Sequence, residues 1–242
     1  EDLARAGEGA DALVCLGDFI LFLDYDDAGG GIFGRLFGAA AAEKLVALRT
    51  AKQFDEARDW SRGLWASLGE DPRAVMDREI RSQYAAMFAV LPDPTYLTYG
   101  NVDVPALWPE FLKPGSTVLD GQTAVIGGKT WGFVGGGLKT PMNTPYEIDD
   151  VTYAEKVAAV GAVDVLACHI PPDVPELLYD VTARRFERGS GAVLDAIRDM
   201  APELVLFGHV HQPLQARLRI GRTECVNVGH FRGRGTPYVV EY

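Results

Sequence analysis

The sequence has little cysteine and no long hydrophobic run. Only three of its 242 residues are cysteines, Cys15, Cys168 and Cys225, and no two of them form a C-x-x-C pair. Three thiols cannot all pair within one chain, so we expect buried, reduced cysteines rather than a disulfide framework or a cysteine-based zinc site. Every apolar run is interrupted before the roughly 20 residues that a membrane-spanning helix requires. The sequence therefore predicts no membrane span.

Basic residues are also few relative to acidic ones. The chain has 23 Lys and Arg against 34 Asp and Glu, a net charge of −11. Such a chain repels nucleic-acid phosphates at long range, so we expect no general nucleic-acid binding. A smaller anionic ligand would need a local positive centre. The chain opens with Glu1-Asp2-Leu3 and shows no basic and then apolar secretory leader, which predicts a cytoplasmic location.

Short apolar runs alternate with helical patterns along the chain, which is typical of an α/β fold. Residues 13–16 and 204–207 are apolar without alternation, as in strands that are covered on both faces. Runs at 215–220, 224–228 and 237–240 predict a closing antiparallel meander. Apolar stripes with helical spacing between positions 36 and 91 predict a helical hairpin, inserted over about residues 33–92 of a single domain that spans residues 1–242.

Polar side chains with the chemistry of metal ligands follow four of the predicted strands. Asp18, Asn101 and His169 each end one apolar run, and His209-Val210-His211 ends a fourth. In open α/β sheets the carboxyl ends of strands border a common crevice, so these side chains can converge there. A glycine precedes Asp18, Asn101 and His209, and we expect it to let the backbone turn sharply and bring the next side chain close.

These residue types suit a pair of divalent cations. A carboxylate can bridge two ions, an amide oxygen is a neutral ligand, and imidazole binds zinc, iron, nickel or manganese. If Val210 is extended, His209 and His211 point to the same side and can serve two ions. Two such ions about 4 Å apart would hold a phosphoryl group and activate a bridging water. Taken singly, Asp18 also fits a helix cap, Asn101 a turn, and each histidine a hydrogen-bonded structural residue.

Four short motifs follow one another along the chain: Gly17-Asp18, Gly100-Asn101, His169 and Gly208-His209-Val210-His211. Their residues and their order resemble the motifs of the calcineurin-like metallophosphoesterase family. The resemblance implies a four-layer α-β-β-α sandwich that acts on a small phosphoester. It implies that Asp18 bridges two ions (Mn, Fe, Zn or Ni), that Asn101, His169 and His209 complete one ion, and that His211 serves the other. Asp18, Asn101 and His169 would form the catalytic set, and a metal-bridging hydroxide would hydrolyse a phosphodiester rather than a monoester.

The sequence departs from the family's pattern in two places. The family's first motif, Asp-x-His, is absent, so we expect that the N-terminal first strand is missing from this sequence. Val102 stands where the family usually has a histidine that contacts the scissile phosphate and protonates the leaving group. For Asp103, which would orient that histidine, we predict a structural role. These departures leave an alternative function open, namely a phosphoesterase-like binding scaffold without catalysis.

Further polar residues lie outside these motifs. Arg184, Arg185 and Arg188 form a basic run in which one or two side chains could contact phosphate, although a solvated face is expected for the group as a whole. His230 is expected to be structural or to line the rim of the site. The sequence does not predict an oligomeric state.

Overall fold

The computed structural model describes residues 2–141 and 143–241, in which helices alternate with short strands. The helices are α1 (Asp2–Arg5), α2 (Ile32–Phe37), α3 (Ala39–Thr50), α4 (Phe54–Ser67), α5 (Pro72–Val90), a 3-10 helix (Pro105–Glu110), α6 (Asp150–Val160), α7 (Pro175–Leu178), α8 (Gly191–Met200) and α9 (Phe231–Arg234). The strands are β1 (Leu13–Cys15), β2 (Thr95–Leu97), β3 (Ser116–Val118), β4 (Gln122–Ile126), β5 (Lys129–Val134), β6 (Gly137–Leu138), β7 (Glu147–Ile148), β8 (Val165–Cys168), β9 (Tyr179–Asp180), β10 (Arg185–Phe186), β11 (Leu204–Phe207), β12 (Arg217–Ile220) and β13 (Thr223–Asn227). The predicted α/β class is confirmed.

Two larger sheets carry the strand ends that matter for function. The first is parallel, in the order β1-β2-β3. The second has the order β12-β13-β11-β8-β5-β4, with parallel pairing in the centre and antiparallel pairing in the two outermost pairs. Because β1 and β2 run in the same direction, their carboxyl ends lie at one edge of the first sheet, and those of β8 and β11 lie at one edge of the second.

The central strands β8 and β11 of the six-stranded sheet are buried on both faces, as the non-alternating run at 204–207 predicts. Val165 and Ala167 of β8 belong to an apolar cluster that includes Val14 of β1, so the two sheets pack against each other. Leu166 and Cys168, which alternate with them, pack in a second cluster with side chains of α6 and α8. Each fully buried apolar side chain of this kind stabilises the fold by about 1.5–3 kcal/mol. The four-layer arrangement as a whole stays a prediction.

Ile20–Ala86 forms a separate compact unit. Its apolar cluster includes Leu23, Phe33 and Leu45. Four helices occupy the stretch predicted as one helical hairpin, because the backbone enters the left-handed region at Gly38 (φ 86°) and Lys52 (φ 59°) and interrupts the helical path there. That this stretch is an insertion into a single domain stays a prediction.

Two smaller expectations have different outcomes. The prediction of a closing meander is wrong for its last strand, because residues 237–240 form no strand. The side chains of Tyr238 and Val240 nevertheless pack on the core. The cysteines are all free, and burial raises the pKa of Cys15 to about 12, which keeps this thiol protonated at neutral pH. No helix within residues 2–141 and 143–241 has the length and apolar character needed to span a membrane.

Candidate metal centre

Three of the predicted ligands meet at one place. Asp18 follows β1, His169 follows β8, and His209 lies two residues beyond β11. Each of these side chains offers one ligand atom that lies within 4.8 Å of the other two. His169 is buried, whereas Asp18 and His209 are partly buried. Packing of the two sheets therefore brings together strand ends that are 40 to 191 residues apart in the sequence, as 209 − 169 and 209 − 18 show.

His169 is held with one ring nitrogen directed at the other ligands. Its Nδ1 lies 2.8 Å from the carbonyl oxygen of Leu16, which can only accept, so Nδ1 carries a proton and donates it there. Its Nε2 lies 3.3 Å from Oδ2 of Asp18 and 3.2 Å from Oδ1 of Asn101. A nitrogen lone pair and two acceptor oxygens repel one another unless a proton or a cation lies between them. The donor set of imidazole, carboxylate and amide oxygen fits a divalent transition metal.

The amide of Asn101 is oriented by a neighbour that sequence reasoning missed. The Nδ2 of Asn101 donates to Oγ1 of Thr144 at 2.8 Å, and this hydroxyl in turn donates to Oε1 of Glu147 at 2.9 Å. These bonds direct Oδ1 of Asn101 towards His169. The Thr144-x-x-Glu147 spacing is that of a capping box, which is a signal for a local turn but gives no indication of a partner 43 residues away.

Asp103 connects the two ligand-bearing turns of the parallel sheet. It is fully buried, and its Oδ2 accepts the backbone N–H groups of Asp18 at 2.7 Å and Gly100 at 2.8 Å. Its Oδ1 accepts the N–H of Phe19 at 2.9 Å. Asp103 therefore has the structural role predicted for it, although it acts on the backbone and not on a neighbouring histidine.

The glycines before the ligands differ in importance. A Cβ on Gly17 would overlap the backbone of Gly100, and a Cβ on Gly100 would overlap the carboxylate of Asp18. The expected close approach is confirmed at these two positions. The close approach is wrong for Gly208, where a Cβ would meet no atom of the described residues within 4 Å. The sharp turn instead falls on His209, whose φ is 64°.

His211 lies outside the group of three. The chain bends after β11, because the N–H of Val210 donates to the carbonyl of Gly208 at 2.8 Å, and so His209 and His211 do not alternate along a strand. The ring of His211 instead stacks face to face on His230, with 4.4 Å between ring centroids and 4° between ring planes. The role of His211 as a ligand of a second ion stays a prediction.

Electrostatic interactions favour the metal-binding protonation states of Asp18 and His209, whereas they favour the protonated form of His169, whose Nε2 must lose its proton before it binds a metal. Burial would raise the pKa of Asp18, but the adjacent His169 and His209 outweigh it and hold that pKa well below its usual range. Burial, reinforced by His169, lowers the pKa of His209 to about 3, whereas the charge of Asp18 overcomes burial and raises the pKa of His169. Burial and the charge of Asp18 raise the pKa of Asp103 to about 6. An ionised Asp18 and a neutral His209 are both competent as ligands.

Two solved structures align with this chain. One crystal structure aligns with a TM-score of 0.57 over 96% of this chain and 84% of its own, at 17% sequence identity, which shows similarity of fold alone. The crystal structure of TT1561 from Thermus thermophilus aligns with a TM-score of 0.43 at 20% identity, over 61% of this chain and 69% of that protein. The curated proteins include no match.

The family model described as calcineurin-like phosphoesterase matches residues 1–213. This match extends over all four motifs, from Gly17-Asp18 to Gly208-His209-Val210-His211. The family implies metal-dependent hydrolysis of phosphoesters, and the described residues supply a candidate cluster of ligands for a divalent cation. The chain belongs to the calcineurin-like phosphoesterase family.

Proposed function

We propose that this protein is a phosphodiesterase that acts on a small phosphoester with two divalent cations, Mn, Fe, Zn or Ni. One observation supports the proposal above all. The Nε2 of His169 faces Oδ2 of Asp18 and Oδ1 of Asn101 at 3.3 and 3.2 Å, an arrangement of three donor atoms that a cation would stabilise.

Each proposed ligand has a distinct part in this scheme. One ion would be held by Asp18, Asn101, His169 and His209. The other ion would be bound in part by Asp18 and His211. When bound, the cations supply the Lewis acidity that activates water and neutralises charge on the phosphoryl group. The chain itself holds the donors in place through the Nδ1 proton of His169 on the Leu16 carbonyl and through the contact of Thr144 with Asn101.

The residue after Asn101 favours a substrate with a good leaving group. Val102 has an apolar side chain, and its backbone N–H donates to Oδ1 of Asp18 at 3.3 Å. It therefore stabilises the carboxylate but cannot supply a proton to a leaving group. A substrate whose leaving group departs with little protonation, such as an aryl ester, suits such a site better than an alkyl ester does.

Turnover by metal-loaded protein tests the proposal. The protein is loaded in turn with Mn, Fe, Zn or Ni and assayed on bis-p-nitrophenyl phosphate, a diester, and on p-nitrophenyl phosphate, a monoester. We expect a higher kcat/KM for the diester, and a loss of about 100-fold or more in Asp18→Asn. The matched control is Asp195→Asn, because Asp195 lies on α8 and pairs only with Arg198 in the described chain, both side chains being exposed.

Two outcomes would contradict the proposal. Full hydrolysis by folded Asp18→Asn would show that the chemistry does not use this centre. Stoichiometric metal binding without turnover of either ester would favour the non-catalytic scaffold.

A further inference from the structure

A short hairpin is joined to the segment that follows the candidate metal ligands. The hairpin consists of the antiparallel strands β9 and β10. The N–H of Val181 donates to the carbonyl of Gln212 at 2.9 Å, and the N–H of Leu214 donates to the carbonyl of Tyr179 at 2.8 Å. The hairpin is therefore hydrogen-bonded to the chain directly after His211.

A buried carboxylate defines the shape of the hairpin. Asp180 is 7% exposed, and its Oδ1 accepts the N–H groups of Thr182 at 2.9 Å and Ala183 at 2.7 Å. Its Oδ2 accepts the N–H of Gln212 at 3.2 Å. The same side chain thus closes the turn and attaches it to the neighbouring segment, which gives the residues at the tip a defined position.

Arg185 presents its guanidinium from this hairpin. Its Nε donates to Oε1 of Glu187 at 2.7 Å, while its side chain is 54% exposed and that of Glu187 only 20% exposed. Within the described part of the chain, Nη1 and Nη2 of Arg185 have no hydrogen-bond partner. These two groups form the planar fork that binds two oxygens of a phosphate.

The other two arginines of the run are placed differently. Arg188 donates to Asp150 at 2.9 Å and to the carbonyl of Lys139 at 3.0 Å, so its guanidinium is already engaged. Arg184 lies at the tip with a φ of 51°, and no side chain orients its guanidinium within the described residues. Arg185 alone combines attachment next to the ligand segment, an orienting carboxylate and an unengaged fork.

We propose that Arg185 binds the phosphate of the substrate at the edge of the candidate metal centre and that Glu187 is a positioning residue for its guanidinium. This inference rests on the proposed function. Arg185 would also supply local positive charge for an anionic substrate in a chain whose net charge is −11. Arg185 would bind non-bridging phosphate oxygens and take no part in bond breaking.

Three single substitutions by Gln test the inference. In metal-loaded protein assayed on bis-p-nitrophenyl phosphate, we expect Arg185→Gln to raise KM about 10- to 100-fold with a smaller change in kcat. Arg184→Gln removes the same charge one residue away and is expected to change KM less than about twofold. Glu187→Gln is expected to raise KM several-fold, although it makes the hairpin more positive, because Arg185 loses its orientation.

Binding of inorganic phosphate gives a readout that does not require turnover. Calorimetric titration of the metal-loaded protein should show a weaker Kd in Arg185→Gln by a factor similar to the change in KM, and an intermediate Kd in Arg185→Lys, which keeps the charge but loses the fork. Circular dichroism melting checks that each variant is folded.

The results that would overturn the inference are distinct from those that would overturn the proposed function. Equal effects of Arg184→Gln and Arg185→Gln, or a lower KM in Glu187→Gln, would indicate a general field instead of a phosphate contact. Phosphate binding that is absent in the wild type, or unchanged in Arg185→Gln, also overturns it. If the wild type hydrolyses neither ester but binds phosphate through Arg185, the proposed function fails, and Arg185 is a phosphate-binding residue of a non-catalytic site.

Discussion

The carboxylate of Asp103 accepts the backbone N–H of Asp18 at 2.7 Å, across 85 residues of sequence. The same oxygen accepts the N–H of Gly100, which precedes Asn101. Two candidate ligands on neighbouring parallel strands are thus held in register by a buried side chain that is not itself a proposed ligand. Asp103 therefore helps to fix the geometry of the centre without being one of its proposed ligands.

Replacing Asp103 with Ala should weaken both the fold and metal binding. Three N–H groups would lose their acceptor, and each buried donor left unsatisfied costs about 1–3 kcal/mol. We expect the free energy of unfolding to fall by about 3 kcal/mol or more in urea titrations, with weaker binding of Mn or Zn in calorimetry. The control Asp195→Ala removes an exposed carboxylate on α8 and should change neither quantity appreciably. Wild-type metal affinity in folded Asp103→Ala would contradict this role.

Thr144→Val should reduce metal affinity with little loss of stability. The substitution keeps the shape of the side chain but removes the oxygen that accepts Nδ2 of Asn101, so the amide is free to rotate. Loss of such an orienting partner typically costs about 10- to 100-fold in metal affinity. Competition with a chelator measures the change. Thr152→Val is the control, because among the described residues its hydroxyl bonds only the exposed cap residue Asp149. Equal affinities in the two variants would exclude an orienting role for Thr144.

Gly100→Ala and Gly208→Ala form a matched pair. Both glycines precede a candidate ligand. An added Cβ overlaps the carboxylate of Asp18 at Gly100, whereas at Gly208 it meets no atom within 4 Å in the described part of the chain. We expect Gly100→Ala to lower the melting temperature and abolish tight metal binding, because the overlap moves Asp18 or the turn. Gly208→Ala should stay within about 0.5 kcal/mol of the wild type in unfolding free energy. The reverse order of effects would show that the close packing of these turns is not as described.

The stability of metal-stripped protein should fall with acid through His209. Its pKa is lowered from 6.5 to about 3, so between these values the unfolded chain binds a proton that the folded chain does not. The contribution of neutral His209 to the free energy of unfolding is therefore fully present above about pH 6.5. It decreases as the pH falls towards 3. His209→Gln cannot take up this proton, so its unfolding free energy should decrease less than that of the wild type between about pH 7.5 and pH 4.5. Urea unfolding with a chelator present measures both curves, and parallel curves would contradict the expectation.

Several elements were predictable because their signals are local. The strand at Leu204–Phe207 has the bounds that its apolar run predicts, and α6 and α8 begin after Asp149 and Ser190, whose side chains accept N–H groups of the first turn. Residues 237–240 show the limit of such signals. They are apolar and pack on the core, but an apolar run does not decide whether a neighbouring strand is there to pair with.

What the sequence determined by itself is the set of ligand-type side chains and their position at strand ends, since residue type and chain order are local properties. Tertiary structure decided which atoms meet. It directed Nε2 of His169 at Asp18 and Asn101, joined the turns through Asp103, and set His211 against His230 instead of beside His209. These contacts follow from how two sheets pack and where the chain bends after β11, and no pattern in the sequence around any one residue specifies either.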